Sequence, residues 1–167
     1  AKTAVICEGV SLDYRTLNER VNRLAHALLA KGLSKGDHIG LLVHNGHQFI
    51  ETYFAAAKTG GVFCPYNNHL RAGELSEIIN YSVPRFLFVD SDYVGLIESI
   101  RAGIPSVEHY ICLQKPILSF LLEYEALVSQ GGAEEPSVAV DEDDLMSIFF
   151  TAGTTGKPKG AMRTHRH

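Results

Sequence analysis

A chain of 167 residues with 46% apolar and 20% charged side chains is long enough for one domain with a real core, and ordinary in composition for a globular protein. A net charge of −4 argues against a general nucleic-acid binder, which carries a basic face. Apolar runs such as "YFAAA" are far too short for a membrane span, and no basic-then-apolar leader opens the chain.

The opening "TAVICEGVSLDY" alternates loosely around a Glu-Gly turn and predicts a small hairpin over residues 3–14. "TLNERVNRLAHALLAKG" predicts a helix. Thr16 and Glu19 have the spacing of a capping box, Leu17, Val21, Leu24, Ala25, Leu28 and Leu29 share one face, and Gly32 stands where a helix stops. "HIGLLVHN" predicts a strand, "QFIETYFAAAKTGG" a helix closed by Gly60 and Gly61, and "VFCPY" another strand. A helix over 72–81, a strand at "RFLFVD", a weaker helix near 92–100, a strand at "YICL" and a helical stretch near 120–130 continue the alternation. This order predicts an α/β fold with a mostly parallel sheet flanked by helices. Cys7, Cys64 and Cys112 are widely spaced, with no C-x-x-C pair, and read as small buried hydrophobes in a reducing compartment, hence cytoplasmic. The absence of an initiator Met hints that the N-terminus has been cut, processed or left out.

"GGAEEPSVAVDEDD" carries six acidic residues and no basic one, and reads as a solvated connector leading into a last apolar strand, "LMSIFF", over 145–150. From Lys157 onward the charge reverses: Lys157, Lys159, Arg163 and Arg166 accompany two histidines, with no acid. Between these two stretches lies "TAGTTGKPKG". Gly153, Gly156 and Gly160 allow tight bends that bring N–H groups to an anion. Thr151, Thr154 and Thr155 add hydroxyl donors, and Lys157 and Lys159 add positive charge. The order is not that of a Walker loop, since Pro158 follows the lysine, and it fails G-x-G-x-x-G. Glycine and threonine alone would suit a surface hairpin equally well; the whole string suits a polyphosphate.

"FTAGTTGKPKGAMRTHR" resembles the phosphate-binding signature of the acyl-adenylate-forming superfamily. "LDYRTLNERVNRLAHAL" is similar to that family's first signature and "AAKTGGVFCPYN" to its second. The resemblance implies that residues 1–167 are the first part of the large N-terminal, AMP-binding domain. The rest of that domain and a C-terminal lid would be absent, and the 167 residues alone would be inactive. It implies an ATP-dependent acyl-CoA ligase using a small-molecule carboxylic acid, ATP, Mg2+ and CoA. Thr151, Gly153, Thr154, Thr155, Gly156 and Lys159 would hold the β- and γ-phosphates. It assigns no catalytic residue and no metal ligand here.

Ala152 stands where the family usually has serine, and Asn67 leans the resemblance toward CoA ligases and away from peptide-synthetase adenylation domains. The second reading is a non-catalytic binding or assembly domain on the same scaffold. His165 matches the family's Thr-His pair with its role open, while His44, His47, His69, Tyr66, Asn67 and Asn68 read as structural. With no flanking element after it, the strand at 145–150 is expected to pair edge-to-edge and dimerise the chain.

Overall fold

The computed structural model describes residues 2–116, 118–151 and 159–167. Strands β1 (Thr3–Cys7) and β2 (Val10–Asp13) form the expected hairpin, turned by Glu8 and Gly9 at positive φ. Helix α1 (Tyr14–Ala30) follows directly. Its start corrects the sequence reading: Asp13 is the N-cap, its Oδ1 accepting from Thr16 N at 2.7 Å, so the helix begins before the Thr16–Glu19 pair. Asp at this position satisfies an N–H that has no helical partner. That contact also holds the Asp13 carboxyl below its ordinary value.

Strand β3 (His38–Leu42), helix α2 (His47–Thr59) and strand β4 (Val62–Pro65) make the first parallel crossover. Gly60, at φ +69, supplies the left-handed residue that ends α2. Helix α3 (Ala72–Ser82), strand β5 (Phe86–Val89), helix α4 (Val94–Ile100) and strand β6 (His109–Cys112) follow in the predicted order. The helical stretch expected near 120–130 is divided. Strand β7 (Leu121–Glu123) pairs with β6, and helix α5 starts only at Tyr124 and runs to Gln130. Three residues are too few for a periodic signal, so pairing decides their state. The chain closes with β8 (Leu145–Thr151) and β9 (Lys159–Thr164).

The main sheet has seven strands in the order β7-β6-β5-β3-β4-β8-β9, with only β9 antiparallel to its neighbour. Alternate residues of each strand serve two cores, one on each face. Ile39, Leu41, Phe63, Phe86 and Phe88 pack beneath α1, α2 and α5, around the fully buried Tyr124. Leu42, Val62, Cys64, Leu87 and Val89 pack beneath α3 and α4. Cys64 and Cys112 are buried and unbridged, and burial pushes the Cys64 thiol up to about 12.

The expectation of an unflanked last strand fails. β8 is paired on both sides, by β4 at Phe63↔Ser147 and by β9 from Leu145↔Thr164 to Thr151↔Lys159. Its backbone groups are therefore engaged, and the sheet edge is β9. That removes the basis for dimerisation through residues 145–150. Burial decreases along β8, with Met146 and Ser147 buried and Phe149 36% exposed.

Candidate nucleotide-binding hairpin

β8 and β9 pair antiparallel, and the glycine, threonine and lysine segment lies between them in the sequence. Thr151 ends one strand and Lys159 opens the other, directly opposite in register, and Lys159 is exposed. Gly153, Thr154, Thr155 and Gly156, with Lys157, lie outside the described residues. Gly160 faces Phe150, and a Cβ there would come within 2.8 Å of Ile148 Cγ2, so the glycine lets the hairpin close tightly. Phe150 stacks 6.1 Å from the Tyr66 ring and meets Tyr81 edge-on at 6.3 Å, while Phe149 leans toward Phe63 on the opposite face. The aromatic residues thus grip the hairpin stem from both sides of the sheet.

The acidic segment before β8 is the largely exposed connector the sequence suggested, and it is also tied down along its length. It lies as a strap across α1 and α2. Asn22, buried within α1, donates to Ala133 O at 2.8 Å, and Arg23 Nη1 donates to Gly131 O at 2.9 Å. Lys58 Nζ donates to Asn18 and Asn22 at 2.7 Å each and to Glu135 Oε2 at 2.5 Å. These contacts, with Asn18 donating to Oε1, hold the Glu135 carboxyl down to about 2. Lys35 donates to Ala139 O and pairs with Asp144 at 2.5 Å. Arg166, beyond β9, pairs with Glu142 at 2.6 Å. Glu135, Glu142 and Asp144 are each neutralised by a cation, so the segment that looked like bare negative charge is ion-paired beside the basic hairpin.

Further in, Glu51 of α2 is fully buried and meets partners from α1, α5 and its own helix. Arg20 Nε and Nη2 donate at 2.7 and 3.1 Å, Tyr124 Oη donates at 2.6 Å, and His47 Nδ1 lies 2.9 Å from Oε1. Burial and the Glu51 carboxylate push the Tyr124 phenol upward, so it stays a donor. His47 is therefore structural, as expected. His44 sits 3.1 Å from Tyr93 Oη and Tyr66 Oη bonds Ser82 Oγ at 2.6 Å, which supports the structural reading of those two as well.

Two concavities bear on a nucleotide. One, of about 470 Å3, opens at the carboxyl ends of β3, β5 and β6, where the crossovers depart to opposite faces. Such a switch point is a common ligand site in open α/β sheets. Its walls carry Glu8, Asp90 and Asp92, which repel a polyphosphate, and Asp90 is already held by His44 N and Gln114 Nε2. The other, of about 240 Å3, lies beside the hairpin stem among Tyr53, Phe54, Ser147, Arg163 and His165. His165 donates its backbone N–H to Asp144 O, and its Nε2 is buried without a hydrogen-bond partner among the described residues. No group of three His, Cys, Asp or Glu able to hold a metal ion occurs among the described residues. No described helix is long and apolar enough to cross a membrane.

Comparison with known proteins bears on the same segment. The sequence pattern of the AMP-binding enzyme family matches residues 1–167. The chain is 34% identical over 163 residues to the fatty acid–[acyl-carrier-protein] ligase ScoC of Streptomyces coeruleorubidus, covering 98% of this chain and 30% of that protein. It is 34% identical over 175 residues to the crotonobetaine/carnitine–CoA ligase of Salmonella paratyphi A, covering 98% of this chain and 34% of that one. The chain thus spans about a third of the length of these relatives. Among solved structures, the anthranilate CoA ligase AuaEII in complex with anthranoyl-AMP superposes with a TM-score of 0.95 at 25% identity, covering 99% of this chain and 32% of that one. The inhibitor-bound N-terminal domain of FACL13 from Mycobacterium tuberculosis gives 0.85 at 32% identity, covering 94% and 38%.

Proposed function

Because this chain belongs to the AMP-binding enzyme family, we propose that it forms the opening part of an AMP-forming acid–thiol ligase that activates a carboxylic acid with ATP. A carboxylate is a poor electrophile, and joining it to AMP makes a mixed anhydride with a good leaving group. Pyrophosphate departs in that step, and a thiol then attacks the acyl carbon and releases AMP. The observation that carries the proposal is the family match over the whole chain, with Thr151 and Lys159, which bracket the glycine and threonine segment in sequence, paired across two strands.

In this reading Thr151, Gly153, Thr154, Thr155, Gly156 and Lys159 hold the β- and γ-phosphates of ATP. Backbone and hydroxyl donors face oxygens whose charge grows as pyrophosphate leaves, and Lys159 adds a fixed cation. Magnesium enters as part of the Mg–ATP substrate, and no step is assigned to a metal held by this chain. CoA is the proposed acceptor. The carrier-protein ligase among the relatives favours a second acceptor, a carrier-protein thiol, on the same acyl-AMP intermediate. The working compartment we propose is the cytoplasm, consistent with three unbridged cysteines. The 167 residues alone span only a third of the relatives and are proposed not to complete the reaction. Any self-association of them would run along the β9 edge.

The test separates the half-reactions in the complete gene product. Lys159→Ala and Thr155→Ala each remove a charge-assisted contact to the leaving group, a loss of about 1.5–3 kcal/mol, or roughly ten- to a hundredfold in rate. Acyl-AMP formation should slow by that factor, while thioester formation from supplied acyl-AMP changes little. Equal losses in both steps would refute the leaving-group role.

A further inference from the structure

We propose that the groove beside the β7 edge of the sheet is a binding site for a small organic acid, with Arg101 taking the carboxylate and Ala102, Pro105 and Phe120 taking its apolar body. This site is separate from the segment assigned to ATP. β7 and β8 stand five strands apart in the sheet order, about 24 Å at ~4.8 Å per strand.

The sequence builds this groove on fixed elements. After α4 the chain makes a single tight helical turn, Arg101–Gly103, and the carbonyl of Gly103 accepts from Asn80 Nδ2 of α3 at 2.8 Å. Ile104 and Val107 are buried in the core beneath α3 and α4, which anchors the segment leading into β6. Tyr110 of β6 is in register with Leu121 of β7, so Phe120, immediately before β7, comes to lie beside it. The Tyr110 and Phe120 rings meet edge-on at 5.4 Å. The Arg101 guanidinium lies 4.2 Å from the Phe120 centroid and 5.6 Å from that of Tyr110. These residues border a groove of about 550 Å3, a size that suits a small organic ligand. Ala102 and Pro105 are exposed and Phe120 partly so, which leaves apolar surface for such a ligand to cover.

The charges select the ligand. A guanidinium laid on an aromatic ring is pre-organised and keeps its edge N–H groups for a planar oxyanion. Arg20, Arg85 and Arg166 are each paired with carboxylates, whereas Arg101 meets none among the described residues. Two acids border the groove. Glu108 is taken by Arg85 at 2.7 Å, and that contact holds its carboxyl below its ordinary value. Glu98 is left as a negative rim, three residues before Arg101. One available guanidinium beside one carboxylate suits a single negative charge better than a phosphate dianion. Burial pushes the Tyr110 phenol up, so it meets the ligand as a neutral ring and adds no second anion.

The test uses the complete gene product and phenylbutyrate, a monoanion with an apolar body, and reads amide hydrogen exchange by segment as its concentration rises. Saturable protection is expected over 101–110 and 120–123. Phenylbutyramide, the same body without the charge, should give none at the same concentrations. Acetate, the charge without the body, should need about tenfold more or higher. Arg101→Met keeps a side chain packed on Phe120 and removes the charge, and it should raise the half-saturating concentration roughly ten- to a hundredfold. Arg101→Lys should recover part of that loss. An unchanged midpoint in Arg101→Met overturns the role of the guanidinium. Equal protection by the amide, which is read on the unmutated protein and needs no variant to fold, overturns the carboxylate. Protection confined to other segments, or none at millimolar phenylbutyrate, overturns the site itself.

Discussion

Glu51 shows how a single residue can bind three helices together. It accepts from Arg20 of α1 and Tyr124 of α5 while standing on α2, with no exposed surface. Removing the carboxylate leaves the buried Tyr124 hydroxyl without its acceptor and takes one of two carboxylates from the half-buried Arg20, which keeps Glu125, so Glu51→Leu should cost about 2–4 kcal/mol. Tyr124→Phe removes one donor from an otherwise paired carboxylate and should cost only about 1–1.5 kcal/mol. Urea titration of both variants checks the ordering, and equal costs would mean the network is not organised around Glu51. Glu135 offers a test in pH. Its folded-state value is depressed from 4.5 to about 2, so its contribution is present above pH 4.5 and is lost as pH falls toward 2. Glu135→Gln should therefore lower stability most at neutral pH, flatten the acid limb of the stability curve in that window, and converge with the unmutated protein as pH falls toward 2. Because the pair is exposed to solvent, added salt should shrink the difference.

At the scale of elements, the strap and the hairpin show what sequence pattern conveys and what it omits. The alternation of strands and helices was readable because each helix shows a 3.6-residue apolar period and each core strand a short apolar run. The acidic segment was read correctly as an exposed connector, but its ion-pair partners were not readable, because composition reports charge and not what neutralises it. Asn18, Asn22, Lys58 and Lys35 lie 77 or more residues away from the strap groups they hold. Asn22 was visible inside the first signature, but an asparagine on the buried face of a helix gives no sign of which carbonyl it serves. Likewise, Asp13 was hidden as a cap by the better-known pattern of Thr16 and Glu19. The strap's close approach yields a sharp prediction. Gly131→Ala places a methyl group against the Arg23 carbonyl, so the strap must lift from α1. The expected cost is about 1–3 kcal/mol, with the loss of protection concentrated at the strap and β8. Wild-type stability in that variant, measured by thermal unfolding, would show that the strap is not seated this closely.

Across the whole molecule, fold and family were legible together, because three signatures in the correct order fall on α1, on the turn from α2 into β4, and on the β8–β9 hairpin. The candidate site was legible as chemistry, in Thr151 and Lys159 flanking a glycine-rich segment, but its support was not, since that lies in long-range contacts. The acyl pocket that would name the acid has no counterpart among the residues assigned here. The central claim is that this chain is the opening of an enzyme that activates a carboxylate through its adenylate. The most direct measurement is exchange of labelled pyrophosphate into ATP by the complete gene product, with magnesium and a panel of short, long, aromatic and hydroxylated carboxylic acids. The account predicts label in ATP only when a cognate acid is present, reduced roughly ten- to a hundredfold by Lys159→Ala. ATP binding without acid-dependent exchange across the panel would contradict it and favour a non-catalytic nucleotide-binding domain.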